Sequence, residues 1–382
     1  MQKLFFLTDN IITKRDYNRF GINFLKKKFD VKIISLVNYI NPLLSKNHYN
    51  FQCKELIKIN TLNKLNRFLS MNKKLLIIDF LGSSKRSWLV RNLIQKKNIK
   101  IISIYCGLFP TPSFSFFERV INLFNKRKRF GGNLLHKLQI RFFNYLNKDY
   151  KPNITLVGGD VYTNLAKQKK IKHIVKSHSW DYDSYLKLKD KKIKKKNYAV
   201  FIDCDVVFHP DYIYHNITPP ARPKEYFQSL NSFFSKIEEK YNLEIKIAAS
   251  PKTNKKKIEK YLFGRKIYYN KTQELVRDSK AVFMHASTSI FFPLKFNKPL
   301  TFITCNELRN SWFEDQIIYF AKLLNKKILN IDSESDVMGF SIFKSTNKSL
   351  IKKYLKLNDK SKNTKDVLMW KSLSDYIINN RI

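Results

Sequence analysis

The stretch "HASTSIFFPLKFNKPLTF", His285 to Phe302, lies between two short apolar segments, "AVFM" before it and "LTFIT" at its end. Each segment is typical of a strand that is buried on both faces of a sheet. Ser287, Thr288 and Ser289 place three hydroxyls where the first strand ends and a helix begins. One serine there would only cap the helix, but three beside exposed N–H groups suit a bound phosphate. The stretch therefore predicts a parallel-sheet unit with an anion-binding turn.

The rest of the chain repeats this alternation of strands and helices. The segments "KLFFLTD", "VKIISLV", "KLLIIDFLG", "IKIISIYCG" and "NITLVGG" come first, at intervals that leave room for helices. The pattern restarts at "YAVFIDCDVVF" and includes one clean amphipathic helix, "PKEYFQSLNSFFSKIEEKYN". Continuous apolar strands between helices predict parallel sheets covered on both faces. We predict an α/β fold with two Rossmann-like lobes facing a cleft, where ligands bind at the carboxyl ends of strands.

Composition shifts along the chain predict the domain bounds. The first lobe is expected over 1–186, and the lysine-rich "KLKDKKIKKKN" at 187–197 is typical of a solvated linker. The second lobe follows over 198–350, and 351–382 is expected to form a helical segment that packs back on the molecule.

Phe, Leu and Arg alternate at helical spacing from Ser113 to Tyr150. This helical insertion in the first lobe either caps that lobe or rests on anionic lipid.

The composition excludes several classes of protein. Hydrophobic residues make up 43% of the 382 positions and aromatic residues 14%, which excludes a disordered chain. No apolar run is long enough to span a membrane, and the first residues are typical of a strand rather than a signal peptide. The cysteines contain no CxxC pair, which argues against a disulfide framework or a zinc site; they are Cys53, Cys106, Cys204 and Cys305. We expect a cytoplasmic protein, with a peripheral position on the inner membrane face as an option.

The net charge of +43 points to an anionic partner. Nucleic acid, an anionic membrane and an acidic substrate all satisfy it, and part of the excess can be compositional drift. The sequence contains no pattern typical of a nucleic-acid-binding module. We therefore expect no specific nucleic acid as a partner.

Two further motifs follow predicted strands of the second lobe. In "FIDCDVVFHPDY", Asp203 and Asp205 end a buried strand and His209 comes shortly after. This D-x-D can bind a metal, act as a phosphatase nucleophile motif, or simply cap the following turn. In "IAASPKTN", a strand ends at Ser250, Pro251 and Lys252, where backbone N–H groups and a lysine can hold an anion. An ordinary strand-to-helix loop is the alternative.

Together, these motifs resemble those of a known family. The order of "FHPD", "IAASPKTN", "FGRKIYYNKTQELVRDSKAVFMHASTSI" and "KPLTF" over Tyr198–Thr304 resembles GT-B-fold glycosyltransferases of bacterial surface-polysaccharide clusters. Within that group the chain is most similar to transferases of CMP-activated acidic sugars, either sialic-acid-like nonulosonic acids or Kdo. Such enzymes often hold CMP with a His-Pro motif and a Ser/Thr pair. Here Ser250 stands where that histidine is expected.

The resemblance implies a function for each lobe. The first lobe would bind a surface glycan or lipid-linked acceptor, and the second the nucleotide sugar, with no metal or other cofactor. The residues implied in donor binding are Ser250, Pro251, Lys252, Arg265, His285, Ser287, Thr288 and Ser289.

The resemblance also implies that a carboxylate in the cleft acts as the catalytic base or nucleophile. Asp203 is the first candidate, with His209 as its partner. Asp79, in "LLIIDFLGSS", is the second, and Asp181 and Asp183, in "HSWDYD", come third. Capping is the alternative role for each.

Other functions remain open at this stage. A GT-B transferase could use a UDP- or GDP-sugar, or the chain could be a related epimerase. The missing histidine also allows a GT-B protein that binds glycan without turnover. The charge alone would allow a nucleic-acid-binding protein.

Overall fold

The computed structural model describes residues 1–42, 44, 51–72, 74–107, 110, 141–143, 145–146, 150–194, 196–209, 211–214, 217–251, 253–262 and 264–381. These residues form two compact units. The first draws on Met1–Gly107, Leu134–Asp183 and Asn358–Ile382, and the second on Ser184–Leu357. Residues of the predicted linker group with the second unit, where the backbone N–H of Lys194 donates to Asp278 Oδ1 at 3.2 Å.

The first unit contains a seven-stranded parallel sheet in the order β3-β2-β1-β4-β5-β6-β7. Alternate residues of the first strand enter different apolar clusters: Leu4 and Phe6 pack on one face, Phe5 and Leu7 on the other. The sheet is thus covered on both sides, as the continuous apolar runs predict. The strands are β1 (Lys3–Thr8), β2 (Asp30–Ser35), β3 (Leu56–Lys58), β4 (Leu75–Phe80), β5 (Lys100–Tyr105), β6 (Ile154–Gly158) and β7 (His173–Ser177).

Helices connect the strands of this sheet. Thr13 and Ser84 each cap a helix through a side-chain oxygen that accepts from the backbone three residues later. These helices are α1 (Lys14–Arg19), α2 (Ile22–Leu25), α3 (Val37–Ile40), α4 (Leu62–Ser70), α5 (Lys85–Lys96) and α6 (Gly159–Gln168), and α7 (Trp180–Leu186) follows β7 and runs into the second unit.

The second unit contains a six-stranded parallel sheet in the order β10-β9-β8-β11-β12-β13. Every residue of its central strands β8, β11 and β12 is buried. The strands are β8 (Tyr198–Ile202), β9 (Glu244–Ala249), β10 (Ile267–Tyr269), β11 (Ala281–Met284), β12 (Leu300–Thr304) and β13 (Ile328–Asn330).

The longest helix of the second unit confirms the amphipathic helix predicted there. It begins with Pro223 in its first turn and ends before Asn242, which adopts a left-handed φ of 46°. The helices are α8 (Asp211–Tyr214), α9 (Pro223–Tyr241), α10 (Lys255–Tyr261), α11 (Thr272–Asp278), α12 (Phe291–Lys295), α13 (Trp312–Leu323), α14 (Glu334–Gly339) and α15 (Lys348–Asn358).

The last helix, α16 (Met369–Asn379), belongs to the first unit. Trp370 joins the apolar cluster of the first sheet, and its indole Nε1–H donates to the Arg19 carbonyl at 2.6 Å. Gly21 makes room for this ring: its φ is 61°, and a Cβ there would lie 2.4 Å from Trp370 Cδ1. Only glycine fits this position without rearrangement.

Both sheets reverse their strand order beside their first strand. In the first unit the chain runs from β1 out to β3 and returns at β4, next to β1. In the second unit it runs from β8 out to β10 and returns at β11, next to β8. The predicted α/β fold with two Rossmann-like parallel sheets is therefore confirmed. The helical insertion predicted over Ser113–Tyr150 lies outside the described residues except for 141–143, 145–146 and Tyr150.

No helix in the described ranges is both long and apolar enough to cross a membrane.

Candidate functional site

The candidate site lies where β8 and β11 end side by side. Ile202 and Met284 are register partners in the parallel pair, so the loops that follow them start next to each other. One loop carries Asp203 and Asp205, and the other carries the serine turn, Ser287–Ser289. The order of strands reverses between β8 and β11, and ligands of such sheets bind at this point.

The serine turn is built on a short 3-10 helix, Thr288–Ile290, that leads into α12. Ser287 is its N-cap, and its hydroxyl accepts from the Ser289 backbone N–H at 3.2 Å. Thr288 is exposed, Ser287 and Ser289 are half-buried, and Ile290 anchors the turn in the core. The predicted strand-to-helix junction is thus present with three accessible hydroxyl-bearing residues, and the phosphate contact stays a prediction.

Asp203 and Asp205 form a buried carboxyl pair. Their residues are 5% and 3% exposed. Asp203 Oδ1 accepts from the Asp205 backbone N–H at 3.0 Å, and the Thr253 hydroxyl lies 3.5 Å from Asp203 Oδ2. Asp205 has a left-handed φ of 57°, and its Oδ1 accepts from the Phe208 backbone N–H at 3.2 Å. Asp205 Oδ2 is buried without a hydrogen-bond partner among the described residues.

The surroundings of the pair change its acidity. No lysine or arginine of the described ranges forms an ion pair with either carboxyl group. Burial, together with the neighbouring charge of Asp205, raises the pKa of Asp203 to about 7. Burial raises the pKa of Asp205 to about 6, against a weaker opposing effect of Lys257. A carboxyl group with a pKa close to neutral can both accept and donate a proton at physiological pH.

These shifts predict a stability that falls as the pH rises. Both groups bind their proton more tightly in the folded chain than at the ordinary pKa of 3.8. Their contribution to stability is therefore complete below about pH 4 and is lost between pH 4 and 7. We expect Asp203→Asn to reduce the fall in the free energy of unfolding between pH 5 and 8, where each pKa unit corresponds to about 1.4 kcal/mol. Urea unfolding of the wild type and Asp203→Asn at pH 5 and pH 8 measures this difference. The same pH dependence of the free energy of unfolding in both proteins would contradict the prediction.

His285 lies in the core of the second unit and not at a ligand surface. It is fully buried, its Nδ1 lies 2.7 Å from the Ile303 carbonyl, and its Nε2 lies 2.9 Å from the Tyr226 hydroxyl. Burial lowers the pKa of His285 to about 4. A neutral ring with Nδ1–H donating to Ile303 and Nε2 accepting from Tyr226 satisfies both nitrogens. The donor-binding role predicted for His285 is therefore not supported, because the ring ties β11 to β12 and α9.

Arg265 also has a structural role. It precedes β10 and so lies at the amino end of that strand, opposite the edge where ligands bind. Its guanidinium donates to Glu238 Oε2 at 2.6 Å, to the Ser235 hydroxyl at 3.0 Å and to Asn231 Oδ1 at 3.3 Å, all on α9. These contacts hold the guanidinium of Arg265 on α9, so Arg265 is not part of the proposed site.

The loop after β9 is the third element at this edge. Ser250 is half-buried, Pro251 is exposed, and Lys252 lies outside the described residues. The Ser250 carbonyl accepts from the Thr253 backbone N–H at 3.1 Å, which tightens the turn and directs Thr253 toward Asp203. Adjacent strands β8 and β9 bring this loop beside the carboxyl pair.

His209 follows the carboxyl pair in the same loop. Its side chain is 22% exposed, and its Nδ1 accepts from the Asp211 backbone N–H at 3.2 Å. The ring packs against Tyr212, with centroids 5.9 Å apart. His209 thus lies near the site and partly open to solvent, and its role with Asp203 stays a prediction.

Asp79 is held in a polar network of the first unit. Its Oδ1 accepts from the Leu81 backbone N–H at 2.8 Å, and its Oδ2 accepts from Arg91 Nε and from the Tyr150 hydroxyl, both at 2.9 Å. Asp79 and Arg91 form an ion pair whose side chains are 6% and 11% exposed. This arrangement fits a structural carboxylate better than a base.

Another aspartate lies where the strand order of the first sheet reverses, and the sequence motifs do not identify it. Asp9 follows β1, is 5% exposed, and its Oδ2 accepts from the Gly82 backbone N–H at 2.8 Å. Burial raises the pKa of Asp9. The sequence signal for Asp9 is its position directly after the apolar "FFLT" run, but an aspartate at that position is equally typical of a turn.

The two aspartates of "HSWDYD" differ in their surroundings. Asp183 Oδ1 accepts from the Met369 backbone N–H at 2.9 Å and so anchors the C-terminal segment. Asp181 is half-buried, and its carboxylate accepts no hydrogen bond from the residues that the structure describes.

The sequence matches no protein-family model and no curated protein. The solved structures that are similar to this one include two that it matches over nearly their whole lengths. MnaA from S. aureus, solved with UDP, has a TM-score of 0.53 at 10% identity, covering 100% of this chain and 97% of that one. A UDP-GlcNAc 2-epimerase from Methanocaldococcus jannaschii has a TM-score of 0.50 at 12% identity, covering 100% and 99%. At such identities the similarity shows the fold alone, and it establishes that this chain has an α/β fold of the GT-B type.

Proposed function

We propose that the chain is a nucleotide-sugar-dependent glycosyltransferase whose second unit binds the nucleotide. The observation that carries the proposal is the position of the serine turn. Its three hydroxyl-bearing residues follow β11 at the point where the strand order reverses, beside the buried carboxyl pair. Hydroxyl and backbone N–H donors at such an edge suit the phosphate of a nucleotide.

The carboxyl pair is proposed to serve the chemistry and not the phosphate. An ionised Asp203 or Asp205 would repel a phosphate in direct contact with it, so we propose that the phosphate contacts the donors of the serine turn instead. Asp203, whose pKa is raised to about 7, can take the proton that an acceptor hydroxyl loses during transfer. We propose that neither phosphate binding on the serine turn nor proton transfer to Asp203 requires a metal ion. Nucleotide affinity is therefore expected to be equal with magnesium and with a chelator.

The donor is proposed to be a CMP-linked acidic sugar of the nonulosonic acid or Kdo type, because of the motif order over Tyr198–Thr304. UDP is the competing nucleotide, because MnaA was solved with UDP and the M. jannaschii protein is a UDP-GlcNAc 2-epimerase. Titration calorimetry with CMP, UDP and GDP separates the two. A tenfold difference in affinity between CMP and UDP, which corresponds to about 1.4 kcal/mol of binding free energy, would identify the nucleotide of the donor. No binding of any nucleotide would refute the proposed function.

Epimerisation is the second candidate reaction. It is favoured by the same two structural matches, and it needs no second sugar. Incubating the protein with UDP-GlcNAc and following the sugar protons by NMR tests it directly. A new C2 epimer without an added acceptor would replace the transferase proposal.

The serine turn gives a first prediction by mutation. Replacing Ser287, Thr288 and Ser289 together by Ala removes three hydroxyls, and we expect nucleotide affinity to fall at least tenfold, about 1.4 kcal/mol. The cap on the 3-10 helix is lost as well, at a cost of about 1 kcal/mol of stability. Calorimetry measures the affinity, and circular dichroism checks the fold. Ser341→Ala with Ser345→Ala, two exposed positions of the same unit, is the control. Unchanged affinity in the triple variant would remove the turn from the site.

A surface glycan or a lipid-linked sugar is the proposed acceptor. A position on the anionic inner face of the membrane is proposed from the net charge of +43 and the aromatic, basic pattern of Ser113–Tyr150. Flotation with neutral and anionic liposomes tests it, and equal binding to both would contradict it.

A further inference from the structure

Arg19, the last residue of α1, stacks on Trp180 but has no hydrogen-bond or ion-pair partner for its guanidinium among the described residues. The residue is half-buried, and its Cζ lies 4.3 Å from the centroid of the Trp180 ring. Across the residues that the structure describes, its guanidinium donates no hydrogen bond and forms no ion pair. A guanidinium has five N–H donors, and removing them from water without a partner is unfavourable. Stacking on Trp180 uses the flat face of the group and leaves its N–H edge available.

This arginine lies at the carboxyl edge of the first sheet. Phe80 is the last residue of β4, and Trp180 follows β7 directly after a two-residue turn. Their rings are 6.3 Å apart and both residues are half-buried. Gly107, beyond the end of β5, has a φ of 72°, and a Cβ there would lie 3.6 Å from Trp180 Cδ1. Ligands of parallel sheets bind at this edge.

Charged neighbours of both signs surround the guanidinium. Burial and the charge of Arg15, four residues earlier and exposed, lower the pKa of Arg19. Asp181 is attracted to both arginines, and burial raises its pKa. Asp16 is committed to the helix cap, where its Oδ2 accepts from the Thr13 backbone N–H at 3.1 Å. The site therefore offers two arginines as donors and one carboxyl group, Asp181, as an acceptor.

We propose that Arg15, Arg19, Trp180 and Asp181 bind an acidic sugar of the acceptor. The in-plane donors of Arg19 match a carboxylate in bidentate geometry. Asp181 can accept hydrogen bonds from the hydroxyls of the same sugar, and it would repel a doubly charged phosphate more strongly than a singly charged carboxylate. A sugar acid carries both groups, which favours it over a phosphate alone. The inference rests on the proposed function in one respect, the identification of the bound sugar as part of an acceptor. The binding itself needs no nucleotide.

The test measures anion binding without nucleotide. Trigalacturonic acid, neutral maltotriose and inorganic pyrophosphate are titrated by calorimetry at one ionic strength into the wild type, Arg19→Gln and Lys14→Gln. Lys14→Gln removes one exposed charge from the same helix and controls for the overall charge of the chain. We expect trigalacturonate to bind at least about tenfold more tightly than maltotriose, and Arg19→Gln to lose at least about tenfold in affinity. Lys14→Gln should stay within about twofold of the wild type.

Asp181→Asn keeps both arginines and tests the site even if Arg19→Gln folds poorly. Loss of the carboxylate should raise pyrophosphate affinity by about threefold or more. Pyrophosphate binding that depends on Arg19, without trigalacturonate binding, would keep the anion site but assign it to a phosphate and overturn the acidic sugar. Equal affinities in wild type and Arg19→Gln, or no anion binding by the wild type, would overturn the site. Nucleotide affinity, measured on the same proteins, reports separately on the proposed function.

Discussion

Replacing Asp79 with Asn is expected to destabilise the chain by about 3–5 kcal/mol while the turnover of the folded fraction stays unchanged. The reason is the pairing of Asp79 with Arg91. Arg91 is buried and also donates to the carbonyls of Gly82 and Leu81 at 3.0 and 2.6 Å, so it cannot turn to solvent when its counter-ion is removed. A buried charge left without its partner accounts for the cost.

Urea unfolding and a nucleotide-release assay on the same preparation measure the two effects. Asp190→Asn, at an exposed position, is the matched control and should behave as the wild type. A stable Asp79→Asn protein that has lost turnover would contradict the structural role and make Asp79 the base.

Asp203→Asn is expected to do the opposite: it should lower turnover by about a hundredfold or more and leave the fold intact. Asn resembles the protonated carboxyl group in shape and cannot ionise, and the buried site favours a neutral side chain. The variant should therefore be at least as stable as the wild type above pH 7. Nucleotide affinity should be retained, because the phosphate is proposed to lie on the serine turn.

The loss of turnover would then report chemistry and not folding. The same assay applies, again with Asp190→Asn as the control. Normal turnover in Asp203→Asn would remove it as the base. Asp181, the half-buried aspartate without a hydrogen-bond donor among the described residues, would then be the next candidate.

Much of the fold could be predicted because it depends on local patterns. The apolar run of β1 is continuous, and the structure places its alternate residues on opposite faces of the sheet. The spacing of Tyr226, Leu230, Phe233 and Ile237 likewise matches the buried face of α9. Such periodicities are properties of neighbouring residues and are visible in the sequence.

The site could be predicted only in part, because polar roles depend on distant partners. His285 was expected to bind a ligand, but Tyr226, 59 residues earlier, and Ile303, 18 residues later, occupy both of its nitrogens. The motif order predicts a donor-binding role for Arg265, and nothing in the local pattern shows that this residue precedes a strand at the end away from ligands. The stacking of Arg19 on Trp180 joins residues that are far apart in the sequence. No local pattern predicts such a contact.

The position of α16 has a consequence for the order in which the chain folds during synthesis. The indole of Trp370 fills the space above Gly21 and closes the apolar cluster that begins with Leu4. A ribosome makes Trp370 only after all of Ser184–Leu357, and domains generally fold as units in the order of their synthesis. The second unit is therefore complete first, while the nascent first sheet keeps one apolar surface uncovered. A chain that stops before Met369 would carry that surface permanently, which makes it a substrate for chaperones and proteases.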